Sequence, residues 1–244
     1  MSILTFVRES GKQLAVKSIM SSQALRDMAR LMKPLDSTDL AHAIPIPFSL
    51  LPPKASTAIR SQAAEACGVR GAAIHDIFPC TALQEGFIGV SLRDPRANIA
   101  RHVFELGPRI EEDRLKAAWQ TTVSSIEMLR TRFFMSASLG LLQTVVNEPA
   151  VITKGHSMEH SDNSFQPGRP MVQASISAND SDDIQQQYLI LKLHHTILDL
   201  FTLRLIIKTL QATYNGRLQP ALLPFQVAIA ERKDATTVAE NQKF

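Results

Sequence analysis

The stretch from Tyr188 to Thr202, YLILKLHHTILDLFT, constrains the fold more than any other part of the chain. Side chains alternate along a strand, so Tyr188, Ile190, Lys192 and His194 point to one face and Leu189, Leu191, Leu193 and His195 to the other. The run reads as a buried strand that ends in paired histidines. The period then changes. Leu203, Ile206, Ile207, Leu210 and Tyr214 recur at helical spacing, and Asn215-Gly216 supplies a stop signal. His195 therefore stands where a strand gives way to a loop and then a helix. Strand ends in α/β folds hold side chains at a crevice, which makes this imidazole a candidate general base. Two histidines and a carboxylate are also a donor set for zinc or iron. Against that, neighbours on a strand face opposite ways and do not easily share one ion.

Composition sets the class. With 244 residues and 45% apolar content, the chain has enough material for one or two globular domains. Its net charge of +3, from 26 Lys and Arg against 23 Asp and Glu, is spread without a basic block, so no nucleic-acid partner is expected. Cys67 and Cys80 form neither a metal spacing nor a disulfide framework, which points to a reduced, cytoplasmic compartment. No apolar run approaches the ~20 residues of a membrane span. Arg8, Glu9 and Lys12 interrupt the N-terminus where a signal peptide needs an apolar core.

In chain order, residues 1–33 read as a short helical pair, with Ser22 as an N-cap before Leu25, Met28, Leu31 and Met32. Residues 34–70 read as a proline-punctuated linker holding one helix from Ala55 to Gly68. Ile74 to Pro79 is extended, and Thr81 caps a helix with Glu85 near its positive end. A strand is expected over Asn98 to Leu106, and a helix from Glu111 to Arg130 with Leu115, Trp119, Val123, Ile126 and Leu129 on one face. Two strands follow, Arg132 to Ser136 and Leu141 to Val146, then a polar loop over 153–170 that carries His156 and His160. Met171 to Ala178 and Tyr188 to His194 form a hairpin, and residues 219–244 a flexible tail. The fold class is α/β.

His194, His195 and Asp199 together spell HHxxxD. This resembles the HHxxxDG signature of nonribosomal peptide synthetase condensation domains and of the wider chloramphenicol acetyltransferase-like superfamily. Ile74 to Gly86, IHDIFPCTALQEG, resembles the opening motif of fungal-type condensation domains, DIYPCTPLQEG. Asp76, Ile77, Pro79, Cys80, Thr81, Leu83, Gln84, Glu85 and Gly86 match, while Phe78 and Ala82 replace Tyr and Pro. Ala100 and His102 to Leu106 match the family's YxAQHVFEL pattern. Glu127, Leu129, Arg130, Thr131 and Phe133 match RHExLRTxF, with Ser125 and Ile126 in place of the Arg-His pair. Pro47 to Leu51 is similar to a Pro-Phe-x-Leu-Leu segment of the same enzymes. Val7, Arg8 and Gly11, then Leu14, Val16, Ile19 and Met20, then Leu25, Met28 and Ala29 are similar to the end of a carrier domain; its phosphopantetheine serine would fall upstream of Met1.

The resemblance implies a chloramphenicol acetyltransferase-like N-terminal lobe over 71–218. It further implies amide-bond formation between acyl and aminoacyl thioesters on two carriers. His195 maps to the base or positioner, His194 to a packing residue of the motif and Asp199 to its structural aspartate, for which Arg130 is the candidate partner. No cofactor is expected to be bound covalently; the phosphopantetheine arms belong to upstream and downstream carrier domains. The motif glycine is Leu200, which is costly if the position needs a positive φ or close approach. No sequence here resembles a second lobe, so no activity is expected from the chain alone. A non-catalytic module that docks on carriers and a truncated gene product stand as alternatives.

Overall fold

A computed structural model describes residues 7, 10, 12–14, 24–34, 44–53, 55–155, 165–179, 186–219 and 222–230. The chain divides into two compact units, Met1–Ile44 and Pro45–Phe244. In the first, β1 (Lys12–Gln13) and β2 (Lys33–Pro34) pair antiparallel, with α1 (Leu25–Arg30) between them in sequence. No residue of α1 is buried. A two-residue ladder thus takes the place of part of the expected helical pair, and α1 begins after Ala24. Ser22, Ile19 and Met20 lie outside the described residues.

The second unit runs α2 (Ser56–Cys67), β3 (Ile74–Pro79), α3 (Ala82–Ser91), β4 (Ile99–Leu106), α4 (Glu112–Ser125), β5 (Thr131–Ser136), β6 (Gly140–Val146), β7 (Ile152–Gly155), β8 (Val172–Asn179), β9 (Gln186–His194) and α5 (Leu200–Tyr214). A further helix occupies residues 225–230. Strands β3-β6-β5 form one antiparallel sheet, and β4-β9-β8-β7 a second in which only β7 and β8 run parallel. The alternating run of the sequence is β9, an inner strand, with Ile99 opposite His194 on one side and Val172 opposite Leu193 on the other.

Leu189, Leu191 and Leu193 meet Leu115, Trp119 and Val123 of α4 and Ile206 and Leu210 of α5 in the larger core. Each such side chain, fully buried, contributes about 2 kcal/mol. Phe133 joins this core while its neighbour Phe134 joins a second one, with Ile59, Ala63 and Cys67 of α2 and Ile74, Ile77 and Leu142. β5 is therefore covered on both faces, and its consecutive apolar run follows from that. α2 ends at Gly68, whose φ of 66° lets the Val69 N–H reach back to the Ala64 carbonyl at 2.9 Å.

Four sequence expectations need correction. The helix expected to reach Arg130 stops at Ser125: Ile126 is extended, and a 3-10 turn covers Glu127–Arg130. Ser124 and Ser125 bond back to the Gln120 and Thr122 carbonyls, and the Arg130 guanidinium takes the Val123 and Ser124 carbonyls left over at the helix end. Part of the expected polar loop is β7, paired to β8; His156 and His160 lie outside the described residues. The 34–70 stretch is more than a linker, because Leu51 and α2 belong to the second core. The 219–244 stretch is more than a tail, because Phe225 and Ile229 pack with Phe78 and Val145.

Asp76 joins those last two segments. Its carboxylate is buried, and accepts from the Phe48 N–H at 2.5 Å, the Ile77 N–H at 2.7 Å and Gln226 Nε2 at 3.0 Å. Asp76→Ala is expected to lower the unfolding free energy by about 3 kcal/mol, because three donors lose their acceptor. Urea unfolding followed by Trp119 fluorescence measures this, and a change below about 1 kcal/mol would contradict the assigned role.

Candidate active site

β9 ends in two imidazoles with opposite surroundings. His194 is 0% exposed, while His195 is exposed at the start of the turn toward α5. The Thr196 N–H donates to His194 Nδ1 at 3.1 Å, so that nitrogen is unprotonated. The ring proton therefore sits on Nε2 and donates to Ser91 Oγ at 2.8 Å. Ser91 Oγ in turn donates to the Phe87 carbonyl at 3.0 Å. The Thr196 hydroxyl adds a second bond to Nδ1 at 2.8 Å, and the Phe165 ring meets the imidazole edge-on at 5.8 Å. Both ring nitrogens are occupied. Burial, and secondarily the His195 charge, lower its pKa to about 4.

His195 has no strand partner beyond the ladder. Its N–H donates to the Asn98 carbonyl at 2.8 Å, and its ring lies 6.1 Å from the Phe87 ring. Asn98 has φ 59° and donates from Nδ2 to the Phe87 carbonyl and Ser91 Oγ, each at 3.2 Å. Beneath the turn, Gln84 Nε2 donates to the Thr196 carbonyl at 3.3 Å and to Gln143 Oε1 at 3.1 Å. Gln143 Nε2 returns bonds to Gln84 Oε1 and the Pro79 carbonyl, each at 3.0 Å. Gln84 also completes a capping box with Thr81 at the start of α3. The turn holding His195 is therefore braced by Gln84 of α3, itself held by Gln143 of β6, and by Asn98 just ahead of β4.

Asp199 is the N-cap of α5, accepting the Thr202 N–H at 2.6 Å. The expected pair with Arg130 is not formed among the described residues. Arg130 bonds the Val123 and Ser124 carbonyls and Asn147 Oδ1 instead. Local geometry explains this: a carboxylate directed at the first turn of its own helix already has a donor, and Arg130 closes α4. The buried guanidinium of this region is Arg132, which pairs with Glu148 and donates to the Cys67 carbonyl at 3.0 Å. Leu200 is the first residue of α5 and is not among the described residues with positive φ. Its side chain is 69% exposed, and Phe201 beside it 59%. The backbone at this position therefore needs no positive φ.

Two other groups bear on chemistry. Burial pushes the Cys80 thiol up to about 12, with Glu85 adding to the effect, so it is a protonated, poor nucleophile. Burial lowers the His102 pKa, with His195 contributing, and His102 Nε2 is buried without a partner among the described residues. A cleft of about 690 Å³ lined by Trp119, Arg132, Glu148, Arg169 and Val172 lies apart from His195 and Asp199. Phe165, the edge-on neighbour of His194, lines it, as does Arg130. Sequence reading missed Ser91, Asn98, Thr196 and the Gln84–Gln143 pair. Only Thr81-x-x-Gln84 carried a signal, the spacing of a capping box.

Two consequences are measurable. His194 has a folded pKa of about 4 against the ordinary 6.5 of an imidazole, so stability is complete above pH 6.5 and falls as the pH drops toward 4. The loss is about 3 kcal/mol. Unfolding free energies of the native chain and His194→Gln, compared at pH 7.5 and 4.5, should show a steeper loss in the native chain, with His102 leaving a smaller slope in both. Asp199→Ala should cost about 1 kcal/mol through the lost cap. A drop in melting temperature with α5 otherwise intact by amide exchange would report it.

The chain is 35% identical over 217 residues to D-lysergyl-peptide-synthetase subunit 2 of Epichloe festucae var. lolii, covering 88% of this chain and 16% of that protein. It is 30% identical over 240 residues to nonribosomal peptide synthetase 7 of Gibberella zeae, covering 92% of this chain and 5% of that one. It thus spans a small part of each. Among solved structures, that of holo T3CT superposes with a TM-score of 0.62 at 18% identity, covering 78% of this chain and 45% of the other. That likeness concerns the fold alone, a mixed α/β architecture with helices covering its sheets. Residues 74–234, which contain β3, the braced turn and α5, match the condensation-domain model, and the chain belongs to the condensation-domain family.

Proposed function

We propose that this chain supplies the first lobe of a condensation domain in cytoplasmic nonribosomal peptide synthesis, with His195 as the working imidazole. The observation that carries the reading is the contrast at the end of β9. One imidazole is locked in the core, while the next is exposed on a turn held by Gln84 and by the Asn98 carbonyl. In the reaction the acceptor amine attacks the donor thioester carbonyl, the C–N bond forms, and the C–S bond breaks. The amine gives up a proton and the departing sulfur takes one. His195 orients the amine and relays that proton. His194 does not titrate near neutrality; it holds the turn, as does Asp199 by starting α5.

Phosphopantetheine arms of an upstream and a downstream carrier would present the two thioesters. Half-buried Phe87 beside His195, and exposed Leu200 and Phe201 at the start of α5, offer apolar surface that suits such an arm. Residues 1–33 are read as the end of a carrier domain. In this proposal a second lobe faces His195 across the site; the chain overlays 45% of the solved neighbour. The same exposed apolar residues favour a second reading, a module that docks on carriers without catalysis.

The chain alone, given loaded donor and acceptor carriers, is expected to form no peptide above background. Combined with a condensation-domain second lobe it should form product, and His195→Ala should lower the rate about 10²–10⁴-fold. Product formation indifferent to His195→Ala would defeat the catalytic reading. Saturable carrier binding without turnover in either protein would favour the docking module.

A further inference from the structure

The turn after β9 depends on one residue that the motif does not contain. Asn98 is one of two non-glycine residues with positive φ among the described residues. Asparagine is among the few side chains that adopt this left-handed conformation readily. There, its carbonyl faces the His195 N–H at 2.8 Å, past the point where β4 and β9 stop pairing. Its amide turns the other way, to the Phe87 carbonyl and Ser91 Oγ on α3. Ser91 Oγ is also the partner of His194 Nε2, and the Phe87 ring is the aromatic neighbour of His195. One residue thus ties the main chain of the exposed histidine to the helix that anchors the buried one.

We infer that Asn98 is the positioning residue for His195: its left-handed backbone aims the carbonyl that fixes where the imidazole is presented. The inference rests on the reading of His195 as the working imidazole. It does not require Asn98 to touch a substrate. Alanine at this position disfavours the left-handed conformation and removes the amide. Glycine keeps the conformation and the carbonyl while losing the amide alone.

The test is native-state amide exchange on the chain by NMR, comparing His195 with the β9 ladder amide of Leu191. In Asn98→Ala, His195 should exchange at least about tenfold faster relative to Leu191. Its imidazole carbon-bound proton resonances should shift as well. In Asn98→Gly the exchange ratio should stay within about threefold of native. A merely structural role would move both amides together and leave the ratio unchanged in Asn98→Ala, which would overturn the inference. If Asn98→Ala does not fold, Asn98→Gly decides alone, and a tenfold loss of the ratio there means that the backbone conformation is not what holds His195. These outcomes are separate from the fate of the functional reading. Turnover indifferent to His195→Ala would remove that reading and leave the exchange ratio standing, whereas an unchanged ratio would remove this inference and leave the dependence on His195 intact.

Discussion

The reciprocal amide pair of Gln84 and Gln143 is the interaction on which the rest of this lobe depends. Gln84 is 4% exposed and Gln143 0%, so each amide must find every partner inside the protein. They do so without remainder. Gln84 spends its donors on Gln143 and the Thr196 carbonyl, Gln143 spends its own on Gln84 and the Pro79 carbonyl, and Gln84 Oε1 also receives the Thr81 N–H. Those contacts reach the end of β3, the start of α3, the middle of β6 and the turn after β9. Because a half-satisfied buried network is costlier than an apolar core, the four elements are specified together.

The paired histidines gain their asymmetry from this frame. β9 is buried on both faces up to His194, so alternation alone does not separate the two rings; the strand ends at His194, and the turn that follows carries His195 to the surface. The network around Ser91 and Thr196 converts that difference in exposure into a difference in chemistry. The inner ring is fixed as one neutral tautomer, and the outer ring is exposed, with no hydrogen-bond partner for its nitrogens among the described residues. The same economy applies at Asp199, whose carboxylate is used within its own helix rather than across the site.

Much of the fold was legible in the residues. β9, α5, the helix ended by Gly68 and the cap at Thr81 follow from periodicity and local hydrogen-bond chemistry. The early end of α4 was hidden because Ile126 and Leu129 continue the apolar spacing into a 3-10 turn; only Ser124 and Ser125 hinted at competition for the backbone. The partner of Arg130 was misjudged because the choice between a distant carboxylate and a nearby helix end is made by three-dimensional proximity, which spacing does not encode. Asn98 was invisible for the same reason: nothing in the alternation from Ile99 onward announces that the preceding residue turns left-handed.

The carboxylate of Asp76 has a further consequence, concerning where this lobe begins and ends as a physical object. It holds the Phe48 backbone from before α2 and the Gln226 side chain from after α5. The sequence interval that can be excised as a folded piece is therefore set by two hydrogen bonds to one buried group, and not by the first or last recognisable motif. A cut at Gly71 or at Gly216 would look clean in a motif map and would leave a buried anion short of donors. The working boundaries of the lobe accordingly lie outside both.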